Sequence, residues 1–259
     1  MPTHRRLSIA RLLSAAATVA STVLLVASPT QPVHAQLELS DSVDVGRLRA
    51  GDGFICGEVS NSIGCAGLNA DGQLGDGTTT DRKYLKVISD KAKITSPQQL
   101  AVGAHHVCAV SGMMSTPAAG KLYCWGDNQY GQLGDGTTTD RNVPTLVADN
   151  GQFVNADVQG VIAGDNHTCA VTSISGVKRM FCWGLNNKGQ LGNGNTSNSS
   201  LPIVPSAPFN TGGVYTGTNV NQMPAIAAGA EHTCASNLID NKIYCWGENG
   251  NGQLGNGSY

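Results

Sequence analysis

Apolar and polar positions in this chain alternate in short bursts, and four of those bursts match one another. RLRAGDGFICGEV, LAVGAHHVCAV, VIAGDNHTCAV and IAAGAEHTCAS each end in a short β-like run. After a loop come IGCAG, KLYCWG, RMFCWG and KIYCWG, three of them aromatic-rich and strand-like. Each pair of runs predicts an antiparallel hairpin. Polar turns follow: DGTTTDR twice, then NGNTSNSS, then NGSY. The first three lead into YLKVI, VPTLV and LPIVP, which read as the outer strand of one unit on its way to the next. Residues two apart in a strand share a face. His106 therefore lies with Cys108, His167 with Cys169 and His232 with Cys234, while Trp125, Trp183 and Trp246 point opposite to their neighbouring cysteines. Both faces are furnished for burial, as a small sheet sandwiched between copies of itself requires.

The amino terminus breaks this pattern. MPTHRRLSIAR carries Arg5, Arg6 and Arg11 and no acid, a 16-residue apolar run follows, and SPTQPVHA ends in Val33-x-Ala35. These are the parts of a secretory signal peptide, so residues 1–35 are expected to be removed and residues 36–44 to form a short linker. The run is short for a membrane span, which wants roughly 20 apolar residues. Without residues 1–35 the balance is 13 basic against 18 acidic groups, 16 − 3 against 18, or −5. No Lys/Arg cluster survives, which argues against nucleic acid as a partner. Composition agrees with an all-β reading: 33 glycines in 259 residues, 13% charged and 5% aromatic, point to many short strands and tight turns.

The repeat is sharpest in Gly-Gln-Leu-Gly, which starts at Gly72, Gly131, Gly189 and Gly252, at spacings of 59, 58 and 63 residues. Seven residues before each start sits Cys65, Cys124, Cys182 or Cys245. Cys56, Cys108, Cys169 and Cys234 each follow a glycine by five residues, so all eight cysteines are used, two per unit. The repeats are expected at about residues 45–97, 98–158, 159–223 and 224–259, the last truncated.

The H-x-C-A … C-W-G-x-N-x-x-G-Q-L-G pattern resembles the repeat of the regulator of chromosome condensation family, in its exported, cysteine-containing form. The resemblance covers residues 45–259 and implies a β-propeller, usually of seven four-stranded blades. Four copies then make an incomplete ring, and a fragment of a longer product, or closure by a second chain, is the expectation. Asn69, Asn128, Asn186 and Asn249 match the family's asparagine, and His106, His167 and His232 its histidine. The first repeat departs, with Phe54 for the histidine and Ala66 for the tryptophan.

The repeat selects one cysteine pairing, Cys56–Cys65, Cys108–Cys124, Cys169–Cys182 and Cys234–Cys245, because each pair sits on neighbouring strands of one unit. Export favours oxidation. A zinc site from His106, Cys108 and Cys124 supplies three ligands where structural zinc takes four. Recurrence of the histidine favours a structural role, a backbone hydrogen bond in each blade, over general-base catalysis. Gly-Gln-Leu-Gly-Asp-Gly lacks the lysine and Ser/Thr of a phosphate loop. Its leucines, Leu74, Leu133, Leu191 and Leu254, read as core plugs. A calcium loop from Asp71, Asp76 and Asp81 has Lys188, Asn193 and Asn198 at the same places in repeat three. Four Asn-x-Ser/Thr sequons begin at Asn166, Asn195, Asn198 and Asn256 and read as turn residues.

The copies differ most at SGMMSTPAAG (111–120) and PSAPFNTGGVYTGTNVNQ (205–222). Met113, Met114, Phe209 and Tyr215 are the apolar groups there suited to a partner. The functional expectation is a secreted, extracytoplasmic propeller without catalysis or cofactor, binding a protein or surface ligand through these loops. Self-association through open blade edges is a further expected contact. A secreted enzyme inhibitor, of the kind that some exported propellers resembling this one provide against β-lactamases, is the alternative. A lyase- or glycosidase-type enzyme ranks below both, because no acid pair recurs.

Overall fold

The computed structural model describes residues 45–59, 61–89, 93–94, 96–112, 120–148, 157–174, 177–206, 225–237 and 239–259. The expected signal peptide and linker lie outside the described residues, as do Met113, Met114, Phe209 and Tyr215.

Strands arise where β-branched and aromatic residues alternate, and each sheet follows chain order. The first blade is β1 (Val45–Ala50), β2 (Phe54–Val59), β3 (Ser62–Gly67) and β4 (Arg82–Val87). The second is β5 (Gln99–Val102), β6 (His106–Ser111), β7 (Lys121–Gly126) and β8 (Arg141–Leu146). The third is β9 (Asp157–Ala163), β10 (His167–Ile174), β11 (Val177–Gly184) and β12 (Ser199–Ile203). The fourth has three strands among the described residues: β13 (Ile226–Ala228), β14 (His232–Asn237) and β15 (Lys242–Gly247). All neighbours pair antiparallel. The third blade starts at Asp157, ahead of the repeat boundary at 159, because β9 continues alongside Thr172 and Ser173 of the lengthened β10.

Each central hairpin sets its two cysteines directly opposite one another, as in Cys108↔Cys124 and Cys169↔Cys182. The core lies between sheets and gives each blade two distinct faces. The forward face carries the cysteines and the Gly-Gln-Leu-Gly leucine; the backward face carries an alanine, an aromatic residue and the tryptophan. Cys108, Leu122, Cys124 and Leu133 of the second blade thus pack with Ala170, Phe181 and Trp183 of the third. Cys56, Ile63, Cys65 and Leu74 meet Ala109, Tyr123 and Trp125 in the same way. Cys169, Met180, Cys182 and Leu191 meet Ala235, Tyr244 and Trp246.

Two glycines of the repeat are explained by what presses on them. A Cβ on Gly103 would lie 2.3 Å from Cε1 of His106 and 2.5 Å from the carbonyl oxygen of Gly164. Gly134, at φ +69°, closes its turn against the indole of Trp183, whose Nε1 would lie 2.6 Å from an added Cβ. The glycine five residues before the first cysteine and the last glycine of Gly-Gln-Leu-Gly are therefore packing positions.

Candidate functional site

The polar residues of the repeat are occupied inside the molecule. Asn128 organises its turn: its Oδ1 accepts from the Leu133 amide at 3.0 Å, and its Nδ2 donates to the carbonyls of Thr137 and Thr139 at 3.1 and 3.0 Å. Its own amide donates to Asp140 Oδ1 at 2.8 Å. Asn69 and Asn186 repeat the scheme. Two aspartates of the calcium reading, Asp76 and Asp81, belong to these turns. Asp81 accepts from the Asn69 amide, and Asp76 accepts from Thr78 and Arg82. Burial works against the charge of Asp76, but the bonds from Thr78 and Arg82 outweigh it and hold the carboxyl below its ordinary pKa. In the third blade Asn198 accepts from the Asn186 amide and Asn193 from Asn186 Nδ2, without charge and with Ser199 in the arginine's place.

The recurrent histidines link blades. His106 Nε2 lies 2.9 Å from Thr168 Oγ1 of the next blade, and that hydroxyl donates to the Gln132 carbonyl at 2.9 Å. Trp183 Nε1 donates to the same carbonyl, also at 2.9 Å. With its one proton committed to Gln132, the threonine oxygen accepts from His106, which fixes the proton on Nε2. His167, Thr233, Gln190 and Trp246 build the relay again at the next junction, with bonds of 2.9, 3.0 and 2.8 Å. Burial pushes His106 down to about 4 and His167 to about 3, so both rings are neutral near pH 7.

This corrects the expectation of a backbone bond in each blade. The histidine reaches a side-chain hydroxyl across the interface, and the bond is absent at the first junction. There Phe54 stands in the histidine's place and Val107 in the threonine's, so donor and acceptor are replaced together. Thr168 and Thr233 escaped the sequence reading. Their signal was His-Thr-Cys in copies three and four against His-Val-Cys in copy two, which follows the phenylalanine copy.

The eight cysteines form Cys56–Cys65, Cys108–Cys124, Cys169–Cys182 and Cys234–Cys245, with none free. The sulfurs of the His-x-Cys sets are therefore bonded to one another, and no thiolate remains for a metal there. Leu74, Leu133 and Leu191 are at 0% exposure, as are Trp125 and Trp183. Leu254 and His232, on the forward side, are half-buried because no following blade covers the fourth among the described residues, and Trp246 on the backward face is half-buried as well. This corrects the reading of Leu254 as a buried plug.

The groups that differ between copies collect where the inner strands end. Residues 50–52, 102–104, 163–165 and 228–230 line a cleft of about 440 Å³, rimmed by backbone bonds from one blade to the next. Asp52 donates to the Ala104 carbonyl, Ala104 to Asp165 and Asp165 to Ala230, at 2.9, 3.1 and 3.0 Å. Asp52 and Asp165 bring carboxylates to its mouth. Beside it His105 Nδ1 lies 2.9 Å from Asp71 and Nε2 3.6 Å from Asp52. Lys188 pairs with Glu248 at 2.6 Å. This rim offers polar contacts that differ from blade to blade, an arrangement suited to recognition.

Two sequence profiles of the regulator of chromosome condensation (RCC1) repeat match the chain, at residues 119–171 and 179–236 and at 158–190 and 225–253. The chain belongs to that repeat family. It is 32% identical over 210 residues to the probable E3 ubiquitin-protein ligase HERC4 of Homo sapiens, spanning 77% of this chain and 17% of that protein. The RCC1-repeat fold is matched by the crystal structure of human WBSCR16, at TM-score 0.68 and 25% identity over 88% of this chain and 53% of the other. It is also matched by yeast RCC1 (Prp20) in a crystal structure with Kap60, at TM-score 0.62 and 18% identity over 86% of this chain and 48% of the other. The blades described are four, and they do not close a ring.

Proposed function

We propose that this RCC1-repeat chain is an extracytoplasmic, non-catalytic interaction propeller that binds a protein or surface ligand through its non-repeating loops. The observation that carries the reading is the use of every cysteine in a disulfide, one in each blade. Such a set persists in oxidising compartments and is rare in a reducing cytosol. A basic, apolar, small-residue leader at 1–35 supports the same placement. The repeat's asparagines, tryptophans and buried histidines are spent on internal bonds. What varies is left to the rim and the insertions 111–120 and 205–222, where rigid scaffolds place their binding groups. The yeast neighbour, a protein that shares this fold, was crystallised bound to Kap60, which supports a protein-binding role.

The test is deletion of 113–118 and of 207–220 in a tagged, exported chain, followed by crosslinking to material outside the cytoplasm. Capture of a specific partner by the parent, and its loss in deletions that keep the parent's thermal unfolding, is expected. Binding that survives both deletions removes the loops from the proposal. Retention of the chain in the cytoplasm with reduced cysteines overturns the placement. A captured hydrolase that loses activity in the complex turns the reading towards an inhibitor.

A further inference from the structure

The outer strands of the first three blades lie in one register. Cys65 pairs with Lys86, Cys124 with Thr145 and Cys182 with Ile203. Gly67, Gly126 and Gly184 pair with Arg82, Arg141 and Ser199. Leu85 of β4 therefore stands where β8 has Pro144 and β12 has Pro202. The Ile88 amide donates to the Ile63 carbonyl beside β4, at 3.1 Å, and the Val147 amide to the Leu122 carbonyl beside β8, at 3.0 Å. Successive residues of an antiparallel strand point their backbone groups to opposite sides. The N–H and C=O three residues earlier, at 85 and 144, thus turn away from the blade.

In β8 that outward position is closed twice. Pro144 has no N–H, and its carbonyl accepts from Lys93 Nζ at 3.2 Å. Pro202 removes the N–H from β12 in the same way. Leu85 keeps its N–H and has no partner in the register with β3. β4 is the last strand of its sheet, so this edge is a template for a further strand.

The side chains along the edge are basic and apolar. Lys83, Tyr84 and Lys86 are exposed, Tyr84 at 68%, and Leu85 is half-buried. Arg82 is bonded to Asp76, but neither Lys83 nor Lys86 has an acidic partner among the described residues. A second copy of β4 laid alongside would bring these lysines together, which like-charge repulsion opposes. A strand of another chain would instead meet two cations three positions apart, with Tyr84 and Leu85 between them.

We propose that the outer edge of β4 docks an extended segment of another protein, added as a fifth strand, in which two acidic residues enclose two apolar ones. The Leu85 N–H donates to the incoming backbone and the Leu85 C=O accepts from it, while Lys83 and Lys86 face the two acids. The site lies within the repeat, apart from the insertions 111–120 and 205–222, and does not depend on them.

The experiment titrates the full chain into a fluorescein-labelled octapeptide, Ser-Thr-Glu-Val-Tyr-Glu-Thr-Ser, and reads fluorescence anisotropy. Saturable binding is expected, weakened by salt and lost when lysines replace both glutamates of the peptide. Leu85→Pro gives β4 the residue that β8 and β12 already hold. It is expected to weaken binding about tenfold and to leave thermal unfolding unchanged. Lys83→Ala combined with Lys86→Ala is expected to weaken binding about fivefold. Hydrogen exchange should show the peptide protecting residues 82–87 and leaving 141–146 as they were. No binding by the parent, equal binding of the lysine peptide, full affinity in a folded Leu85→Pro variant, or protection confined to another segment overturns the proposal. Should Leu85→Pro not fold, the exchange map and the lysine pair decide. Dimers of the parent that Leu85→Pro abolishes would give the edge to a second copy and overturn the acidic partner.

Discussion

The second and fourth blades carry nearly the same sequence on their forward faces and live in different surroundings. Leu122 of the second is 2% exposed, and Ile63 and Met180, at its register in the first and third blades, are at 0% and 1%. Ile243 holds that register in the fourth and is 76% exposed. The paired leucines behave likewise: Leu133 is fully buried and Leu254 half-buried. The apolar pattern thus prepares a face for burial, and the neighbouring blade accomplishes it. A residue's contribution to stability should follow its neighbour rather than its place in the motif.

Tryptophan substitutions test this at the largest amplitude. Trp183→Ala removes a fully buried indole together with its bond to Gln132, and a loss of about 3–5 kcal/mol is expected from urea unfolding. Trp246→Ala, at the half-buried equivalent, is expected to cost distinctly less. Equal losses would break the comparison.

Acidification comes next. The folded-state pKa values of His106 and His167 are depressed to about 4 and about 3, so the unfolded chain binds protons first as pH falls below about 6.5. The stability of their neutral, buried forms is complete above that value and is lost towards the folded-state pKa values. Between pH 7 and pH 5 each ring should remove about 2 kcal/mol, seen as a falling urea midpoint. A midpoint flat over that window would contradict the buried neutral rings.

A smaller effect sharpens the contrast between junctions. Thr168→Val leaves the His106 N–H without its acceptor and should cost about 1–2 kcal/mol. Adding His106→Phe copies the Phe54/Val107 junction and should recover most of that loss in a double-mutant cycle. Additive losses would show that the two substitutions at the first junction are unrelated. Smallest of all, Ile243→Ala should change stability by no more than about 0.5 kcal/mol, against about 2–5 for Leu122→Ala in the same assay.

Much of the architecture was legible because it repeats. The cysteine and Gly-Gln-Leu-Gly spacings located four units, and alternation located the hairpins that became β2–β3, β6–β7, β10–β11 and β14–β15. What joins the blades was less legible, since a pattern read along one repeat does not name an atom in the next. Thr168 accepts from His106 across 62 positions, and only comparison of neighbouring copies hints at it. The exposure of Ile243 and Leu254 was hidden for the same reason: their motif matches that of buried residues, and burial belongs to the assembled neighbours. Met113, Met114, Phe209 and Tyr215 stand where no repeat constrains the chain, so sequence marks them as different without saying what they meet.

The backbone bonds that ring the cleft carry one more consequence. Asp52, Ala104, Asp165 and Ala230 are linked to one another by peptide hydrogen bonds of 2.9, 3.1 and 3.0 Å, while their side chains alternate between acid and methyl. The hub is thus indifferent to what it displays. Charge at the mouth of the propeller can be rewritten one blade at a time, and the scaffold keeps its dimensions while the address it presents is edited.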